Sequence, residues 1–431
     1  MPMNRWTALF LLLVLPLSAQ EPAAGSTITA EGLKAHLTVL ASDDYGGRNS
    51  GFPGNVKAGE YIAAHFKKIG LAPAGEKDDA GATTWFQGFK VGGRATRNVL
   101  GLAEGSDPVL KSEIVVMGAH YDHVGQEGEP SAGRFRNNKA DPDKKDKIWN
   151  GADDNGSGTV TVLEMARAYM EGKVRAKRSI LFMTFSGEEW GLIGSQYYVN
   201  NPLQPLEKIV AMINLDMVGR NPDKPMDVGG VSTAAEWGAL CEEAAKGTGL
   251  EYATSAPVIM GSDHYWFHRK KIPCVHFFTG FHDDYHKQSD HVDKIDFEHM
   301  AKIGKFGLRL LTAVANRPDR MAYTGSVGGR VLGIDAEELD EDGAKAHSLP
   351  EGEGGIRILK VVEDSAAARA GLKEDDILIE FNGQKLPFKS PLDSMRKELR
   401  TVKDGIEVPL AALRDGKRIE LKAVWGKKKD F

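Results

Sequence analysis

The stretch that decides the fold reads Ser179-Ile180-Leu181-Phe182-Met183-Thr184-Phe185, and it is followed at once by Ser186-Gly187-Glu188-Glu189. Similar apolar, β-branched runs lie at 98–102, 113–117, 208–214 and 273–277. Stretches typical of helices separate them, at 158–170, 191–200 and 234–247. Strands that alternate with helices predict a doubly wound, mostly parallel α/β sheet, in which ligands bind beyond the carboxyl ends of the strands.

The composition limits the classes of protein that the chain can belong to. Its 431 residues include 55 Lys and Arg against 60 Asp and Glu, so the formal charge is −5, which gives no reason to expect a nucleic-acid partner. The length predicts two or three domains at roughly 100 to 200 residues each. The two cysteines, Cys241 and Cys274, are too few for a disulfide framework, and the sequence leaves open whether they pair.

The first residues have the pattern of an export signal. Arg5 precedes the apolar run 8–15, and Leu17-Ser18-Ala19 offers the small residues of a cleavage site. The run is too short for a membrane span, which takes about 20 apolar residues. We therefore predict a signal peptide at 1–19, a protein that is periplasmic or secreted, and no integral membrane segment after cleavage.

Two further segments organise the chain. The charged segment 126–147 predicts a solvated loop, with a lid over the site as the alternative. A Gly-rich stretch at 324–329 begins a region of short strands and turns, which predicts a β-rich module of about 100 residues. We place the first domain at 26–320 and the second at 321–431.

Acidic residues and histidines follow the predicted strands of the first domain. They are His120 and Asp122, then Asp153 and Asp154 in a Gly-rich turn, then Glu188 and Glu189, then Asp216, and finally three histidines at 282, 286 and 291. Carboxylates that share a pocket repel one another, and divalent cations neutralise them. Because imidazole and carboxylate donors together suit Zn²⁺, with Co²⁺ or Mn²⁺ as alternatives, the pattern predicts a metal centre.

These motifs resemble those of the M28 family of di-zinc aminopeptidases. The matching segments are His120-Tyr121-Asp122-His123, Gly151 to Gly158, Phe185 to Ser195, Asn214 to Gly219, and Tyr285 to Asp290. Their order and spacing match across about residues 30–315. The resemblance implies an exopeptidase that removes N-terminal residues from peptide substrates and carries two zinc ions per chain.

The resemblance also implies a role for each matching position. His120 and Asp216 would bind one zinc ion, Glu189 and His286 the other, and Asp154 would bridge both. The peptide bond after Asp154 would be cis, as the family often has it here.

Glu188 becomes the general base in this comparison. It would take a proton from a water between the metals, the resulting hydroxide would attack the scissile carbonyl, and Glu188 would return the proton to the leaving amine. Asp122 would orient His120 through its second ring nitrogen.

Four further residues are candidates for contacts with the substrate. Ser262 and Asp263 resemble a family segment that lines the substrate pocket. Tyr285 could hydrogen-bond the tetrahedral oxyanion or simply pack beside His286. Arg220 is more readily explained by an ion pair within the fold than by a substrate carboxylate.

The second domain resembles a PDZ domain of the bacterial protease type, most clearly over 361–383. By this resemblance Leu332, Gly333 and Ile334 would offer backbone N–H groups to the terminal carboxylate of a peptide, which would add a strand to the sheet. A helix around 391–399 would form the other wall of the groove. A module used only for packing or dimerisation is the alternative.

Three other functions stay open at this stage. Glutaminyl cyclases resemble the family but keep one zinc ion and transfer an acyl group, whereas all five ligand positions here favour two. A carboxypeptidase or another amidohydrolase of the same clan is a nearer alternative. A catalytically dead binding protein is the third, and the intact Glu188 argues against it.

Overall fold

The computed structural model describes residues 28–130, 145–172, 175–256, 258, 261–325, 332–339, 341–361, 365–389, 391–399, 402 and 405–425. The predicted signal peptide and most of the charged segment 126–147 lie outside these residues. Two sets of buried side chains, one before residue 322 and one after residue 331, form separate hydrophobic cores. Among the described helices, none combines the length and the apolar character that a bilayer crossing requires.

The first unit is a sheet flanked by helices. Its helices are α1 (Ala30–Leu40), α2 (Pro53–Lys68), α3 (Gly158–Glu171), α4 (Ile193–Asn200), α5 (Trp237–Ala245), α6 (His264–Arg269) and α7 (Phe297–Asn316). Its strands are β1 (Ala72–Pro73), β2 (Phe86–Val91), β3 (Arg94–Ala103), β4 (Ile114–His120), β5 (Gly125–Gln126), β6 (Ile148–Trp149), β7 (Ser179–Phe185), β8 (Ile209–Leu215), β9 (Met226–Gly229), β10 (Tyr252–Ser255) and β11 (Cys274–Phe278).

Nine of these strands form one mixed sheet in the order β1-β3-β7-β4-β8-β11-β9-β10, with β2 beside β3, while β5 pairs with β6. The four central strands, β7, β4, β8 and β11, are parallel. Antiparallel pairs lie on both sides of them. The predicted α/β class is confirmed, and its parallel part is the centre of a mixed sheet.

Side chains of the central strands alternate between two apolar layers. Val115 and Met117 of β4 point into the core beneath α1, α3 and α7, while Val116 points to the opposite face with Phe267 of α6. Strands β4, β7 and β8 are buried at every position, as expected for parallel strands covered on both faces. Cys241 and Cys274 are both buried free thiols.

The strand order reverses at β4. The connection from β4 through α3 leads to β7 on one side, and the next connection through α4 leads to β8 on the other. Such a reversal leaves a crevice beyond the carboxyl end of the strand, where ligands bind in open α/β sheets. His120, the last residue of β4, lies at this point.

The second unit is antiparallel and β-rich, as predicted. Its strands are β12 (Ile334–Glu338), β13 (Ile356–Val361), β14 (Ile377–Phe381), β15 (Gln384–Lys385), β16 (Glu407–Arg414) and β17 (Lys417–Val424), and its helices are α8 (Glu341–Ala346), α9 (Ala366–Ala370) and α10 (Pro391–Leu399). The strand order is β12-β13-β14-β16-β17, with β15 beside β14. Helix α10 coincides with the helix expected at 391–399.

Candidate metal centre

Three strand ends bring the acidic residues and histidines together. In the register of the sheet, His120 lies opposite Phe185, and Gly118 lies opposite Asn214. The strands β4, β7 and β8 therefore end at nearly the same level. Glu188 and Glu189 follow β7, Asp216 follows β8, and the turn that carries Asp154 leads into α3.

One group of possible metal ligands contains His120, Asp154 and Asp216. His120 Nε2 lies 3.3 Å from Asp216 Oδ1 and 3.5 Å from Asp154 Oδ1. All three residues are buried. Within the part of the chain that the structure describes, Asp216 Oδ1 has no hydrogen-bond partner, which is costly for a buried carboxylate.

A second group contains His123, Asp154, Glu189 and His286. His286 Nε2 lies 2.7 Å from Asp154 Oδ2 and 3.1 Å from Glu189 Oε1. His123 Nδ1 lies 3.0 Å from the same Glu189 oxygen. Asp154 thus presents one carboxylate oxygen to each group.

The structure brings all five predicted ligands together and adds His123, to which sequence reasoning gave no role. The donor atoms are imidazole nitrogens and carboxylate oxygens, which Zn²⁺ prefers. A bound cation would relieve the repulsion between the closely packed carboxylates. It would also interact with the Asp216 oxygen that has no hydrogen bond among the described residues. The residues therefore fit divalent cations at this place.

The carboxylates control the protonation of the histidines. Burial alone would lower the pKa of the His286 imidazole, but Glu189 and Asp154 outweigh burial and raise it to about 9. The pKa of His120 is likewise raised well above its ordinary value, against the effect of burial, by Asp216 and Glu188. A cation that binds here must displace these protons.

Glu188 lies at the edge of the first group. Its side chain is 13% exposed, and Oε2 lies 3.9 Å from His120 Nε2. Burial raises the pKa of the Glu188 carboxyl well above its ordinary value, and the charges of Glu189 and Asp216 raise it further. Glu188 therefore holds a proton more readily than a solvated glutamate does.

Asp122 connects His120 to the segment that carries Glu188. Its Oδ1 accepts a hydrogen bond from the Glu188 backbone N–H at 3.2 Å and lies 3.7 Å from His120 Nδ1. Its Oδ2 accepts a hydrogen bond from the Ser50 hydroxyl at 2.9 Å. His120 Nδ1 also lies 3.2 Å from the backbone carbonyl oxygen of Asp122.

Arg48, for which the sequence predicted no role, connects the loops around the centre through hydrogen bonds to their backbone carbonyls. The side chain is buried, with 1% exposure of the residue. It donates four hydrogen bonds to backbone carbonyls, namely those of Tyr121 at 2.9 Å, Leu40 at 2.8 Å, Asn150 at 2.6 Å and Gly151 at 2.8 Å. These bonds tie the segment after His120 to the turn that carries Asp154.

Asp290 supports the same turn from the opposite side. Its carboxylate accepts hydrogen bonds from the backbone N–H groups of Asp153 at 3.0 Å and Asp154 at 3.1 Å. The peptide bond between Asp154 and Asn155 is cis, as predicted.

The three candidate histidines after β11 have different partners. His286 is in the second group, whereas His282 Nε2 lies 3.1 Å from Asp153 Oδ2. His291 Nε2 lies 3.0 Å from Asp146 Oδ2. Of these three histidines, only His286 belongs to a group of clustered ligand atoms in the part of the chain that the structure describes.

The four other candidate residues lie within the fold as follows. Ser262 and Asp263 are both buried, and the Ser262 hydroxyl accepts a hydrogen bond from Asn214 Nδ2 at 2.7 Å. The Tyr285 ring stacks on His286 at 3.7 Å between centroids. Arg220 pairs with Asp284 at 3.0 Å, which confirms the ion pair within the fold.

The predicted carboxylate loop of the second unit lies at the start of β12. Gly333 has φ 82°, and a Cβ atom there would lie 2.1 Å from Ser365 Cβ. The carbonyl of Leu332 accepts a hydrogen bond from the Ala367 N–H at 2.8 Å, which ties the loop to α9. Ile334 begins β12.

Comparison with known proteins defines the class of both units. Residues 98–311 match the model of peptidase family M28, and residues 330–424 match that of the PDZ domain. The chain thus contains a region that matches the M28 peptidase family, followed by a region that matches the PDZ domain, and both resemblances are confirmed.

Two curated relatives are similar to part of the chain. The leupeptin-inactivating enzyme 1 of Streptomyces exfoliatus is 31% identical over 193 residues, 44% of this chain and 36% of that protein. A probable leucine aminopeptidase 1 of Trichophyton verrucosum is 28% identical over 309 residues, 67% of this chain and 75% of that protein. The chain spans about a third of the first relative's length and three quarters of the second's.

A solved structure shows the same fold. The glutaminyl cyclase of Porphyromonas gingivalis has a TM-score of 0.53 at 22% identity, covering 66% of this chain and 98% of that one.

Proposed function

We propose that the protein is an exported, zinc-dependent aminopeptidase that hydrolyses N-terminal residues from peptides. The observation that carries the proposal is the position of Asp154, which presents one oxygen to each of two buried ligand groups. A carboxylate shared in this way suits two cations bound side by side. Glu188 lies beside the shared site with access to solvent.

In this proposal His120 and Asp216 would hold one zinc ion, Glu189 and His286 would hold the other, and Asp154 would contribute to both sites. When bound, the ions would polarise the scissile carbonyl and make water more acidic. The carboxylates of Asp154, Glu189 and Asp216 would offset three of the four positive charges of two divalent cations.

Glu188 acts as the general base and then as the general acid. Its carboxylate accepts a proton from the attacking water and delivers that proton to the leaving amine. Asp122 holds the Glu188 backbone in place, because its carboxylate accepts a hydrogen bond from the Glu188 N–H.

The neighbouring residues would position the substrate. Tyr285 is a candidate donor to the oxyanion, because its ring lies against His286 beside the second ligand group. Ser262 and Asp263 would act from beneath the pocket, since both are buried. Export is inferred from residues 1–19 alone.

The PDZ domain would bind the C-terminal segment of a peptide. In the described residues β12 pairs with β13 on one side only, so the other edge can accept a strand. Helix α10 lies close to this edge, because the Leu392 N–H donates a hydrogen bond to Glu338 at 2.9 Å.

The experiment is hydrolysis of a panel of aminoacyl-p-nitroanilides by the purified mature protein. The assay is run with a chelator, with zinc added back, and with Glu188→Gln, which should keep metal but lose the base. We expect zinc-dependent release that the variant abolishes. No release from any free-amine substrate by a chain that binds two zinc ions would refute the aminopeptidase activity.

A glutaminyl cyclase activity is the second candidate, since the fold is shared with such an enzyme. Peptides with an N-terminal glutamine separate the two. An aminopeptidase releases free glutamine, whereas a cyclase converts the same residue to pyroglutamate without breaking the peptide bond. Blocked and carboxy-terminal substrates test the carboxypeptidase alternative in the same panel.

A further inference from the structure

His123 lies among the ligands of the second group but belongs to no ligand pair assigned so far. The residue has 0% exposure. Its Nδ1 lies 3.0 Å from Glu189 Oε1 and 3.9 Å from Asp154 Oδ2. Its ring centroid lies 5.5 Å from that of His286. The imidazole therefore faces the same point as the other three side chains.

The surroundings hold this ring in place. A Cβ atom at Gly151 would lie 2.4 Å from both Cγ and Cδ2 of His123, so the backbone at Gly151 packs closely against the Cγ–Cδ2 edge of the ring. The backbone N–H of His123 donates to the carbonyl of Arg48 at 3.4 Å. Nδ1 is the nitrogen that faces the centre, since it lies beside Glu189 and Asp154, while Nε2 has no hydrogen-bond partner among the described residues.

We propose that His123 is a fourth protein ligand of the second metal ion, through Nδ1, beside Asp154, Glu189 and His286. This inference rests on the proposed function. The contacts measured between the four ligand atoms run from 2.7 to 3.9 Å, and every pair lies within 4.8 Å. The edge of a tetrahedron with bonds of about 2.05 Å, typical of zinc, is about 3.3 Å.

The two metal sites then differ in kind. The second site has four protein ligands, whereas the first has the three from His120, Asp154 and Asp216. Zinc sites closed by four protein ligands are typically structural, and those with three leave a position for water or substrate. The second site therefore fills first and holds its ion more tightly, and the first site keeps the exchangeable ion and the open position beside Glu188.

The test is a zinc titration of the full mature chain against a competing chelator, with stoichiometry measured by elemental analysis. The variants are His123→Ala, His123→Asn and the control His268→Asn, which changes another buried histidine that bonds to Tyr323 instead of an acid. Visible absorption of the Co²⁺-loaded proteins reports coordination number independently of activity. Thermal unfolding in chelator shows that each variant is folded.

We expect the wild type to bind one zinc ion tightly and one more weakly. Loss of a residue that only supports a ligand typically lowers metal affinity about 10- to 100-fold. Because His123 is a ligand itself, His123→Ala should lower the zinc affinity of the tight site by more than this. His123→Asn should weaken it similarly, because its amide can donate to Glu189 but is a poor zinc ligand. The Co²⁺ spectrum of the tight site should change in both variants and stay unchanged in His268→Asn.

Two results would overturn the inference without touching the proposed function. Unchanged tight binding in His123→Ala would remove His123 from the ligand set. Recovery of wild-type affinity and spectrum in His123→Asn would show that His123 only donates a hydrogen bond to Glu189. A wild-type chain that binds no zinc at all would instead refute the proposed function itself.

Discussion

Replacing Arg48 with lysine should destabilise the peptidase domain by about 3 to 6 kcal/mol. The guanidinium donates four hydrogen bonds through three nitrogens to carbonyls of three chain segments. Burial lowers its pKa to about 10, so the side chain is still charged at neutral pH. Lysine keeps the charge but has one nitrogen at the end of a flexible stem.

The magnitude follows from counting the lost bonds. A single ammonium group can reach about two of the four carbonyls, because those carbonyls surround a planar group with three nitrogens. Each lost hydrogen bond to a charged donor costs about 1.5 to 3 kcal/mol. The carbonyls left without donors are those of the loops around His120 and Asp154, so zinc affinity should fall with stability.

Urea unfolding followed by tryptophan fluorescence measures the effect. Trp190 is a local reporter, because its indole N–H donates to Asn49, the residue after Arg48, at 3.0 Å. With an m-value of about 3 kcal/mol/M, a loss of 3 kcal/mol moves the midpoint down by about 1 M. Arg97→Lys is the control, since Arg97 is partly exposed and bonds to an exposed glutamate, and it should cost less than about 1 kcal/mol.

The reasoning is refuted if Arg48→Lys shifts the midpoint no further than Arg97→Lys does. That result would mean that water or backbone movement satisfies the carbonyls without the guanidinium. A shift in stability with unchanged zinc affinity would refute only the link between Arg48 and the metal loops.

Three other predictions follow from the described contacts. Asp122→Asn keeps the shape of the side chain but removes the charge that holds the Glu188 backbone, so kcat in the p-nitroanilide assay should fall about 10- to 100-fold with zinc content unchanged. Gly333→Ala forces a side chain to φ 82° and against Ser365, which should cost the PDZ domain at least about 1 to 3 kcal/mol in thermal unfolding. Burial lowers the pKa of His268 to about 4, against 6.5 in the unfolded chain, so its contribution to stability is present above pH 6.5 and is lost as the pH falls toward 4. The loss reaches about 1.4 kcal/mol at pH 5.5, and His268→Asn should flatten the pH dependence of the urea midpoint over this range.

Each of these predictions has a contrary outcome. Loss of zinc from Asp122→Asn would make its effect one of metal binding instead of base positioning. An unchanged melting temperature in Gly333→Ala would show that the loop moves freely away from α9. Parallel pH profiles for wild type and His268→Asn would mean that another group causes the acid loss.

The fold could be predicted where local signals are strong. The apolar runs predicted as strands coincide within a few residues with β4, β7, β8 and β11, and the predicted helices coincide in the same way with α3, α4 and α5. Strands β9 and β10 have only four residues each. Strand β10 pairs with β9, and β9 pairs with β11, through contacts between distant segments that no local pattern predicts. Helix α7 has no predicted bounds, although its buried residues Met300, Ile303 and Leu310 follow the period of a helix.

The site could be predicted from chemistry at strand ends but not in detail. Asp216, for example, follows an apolar strand directly, and a buried carboxylate needs a partner. Periodicity could not choose among the histidines at 282, 286 and 291, because the segment between β11 and α7 has little regular structure. His123 could have been found by its distance of three residues from His120, yet only the three-dimensional turn at Gly151 shows which way its ring faces.

The ligands of the centre follow different strands, so His120 and His286 are 166 positions apart along the chain. In an unfolded chain, bringing such distant donors to one ion costs loop-closure entropy for each intervening segment. A zinc finger, whose ligands are close in sequence, folds around its metal. Here the sheet must be assembled before a cation can find its ligands, so we expect cation binding at this centre to follow folding. The apoprotein should accordingly reach its native topology unaided, and the supply of zinc should limit the amount of active protein and leave the amount of folded protein unchanged.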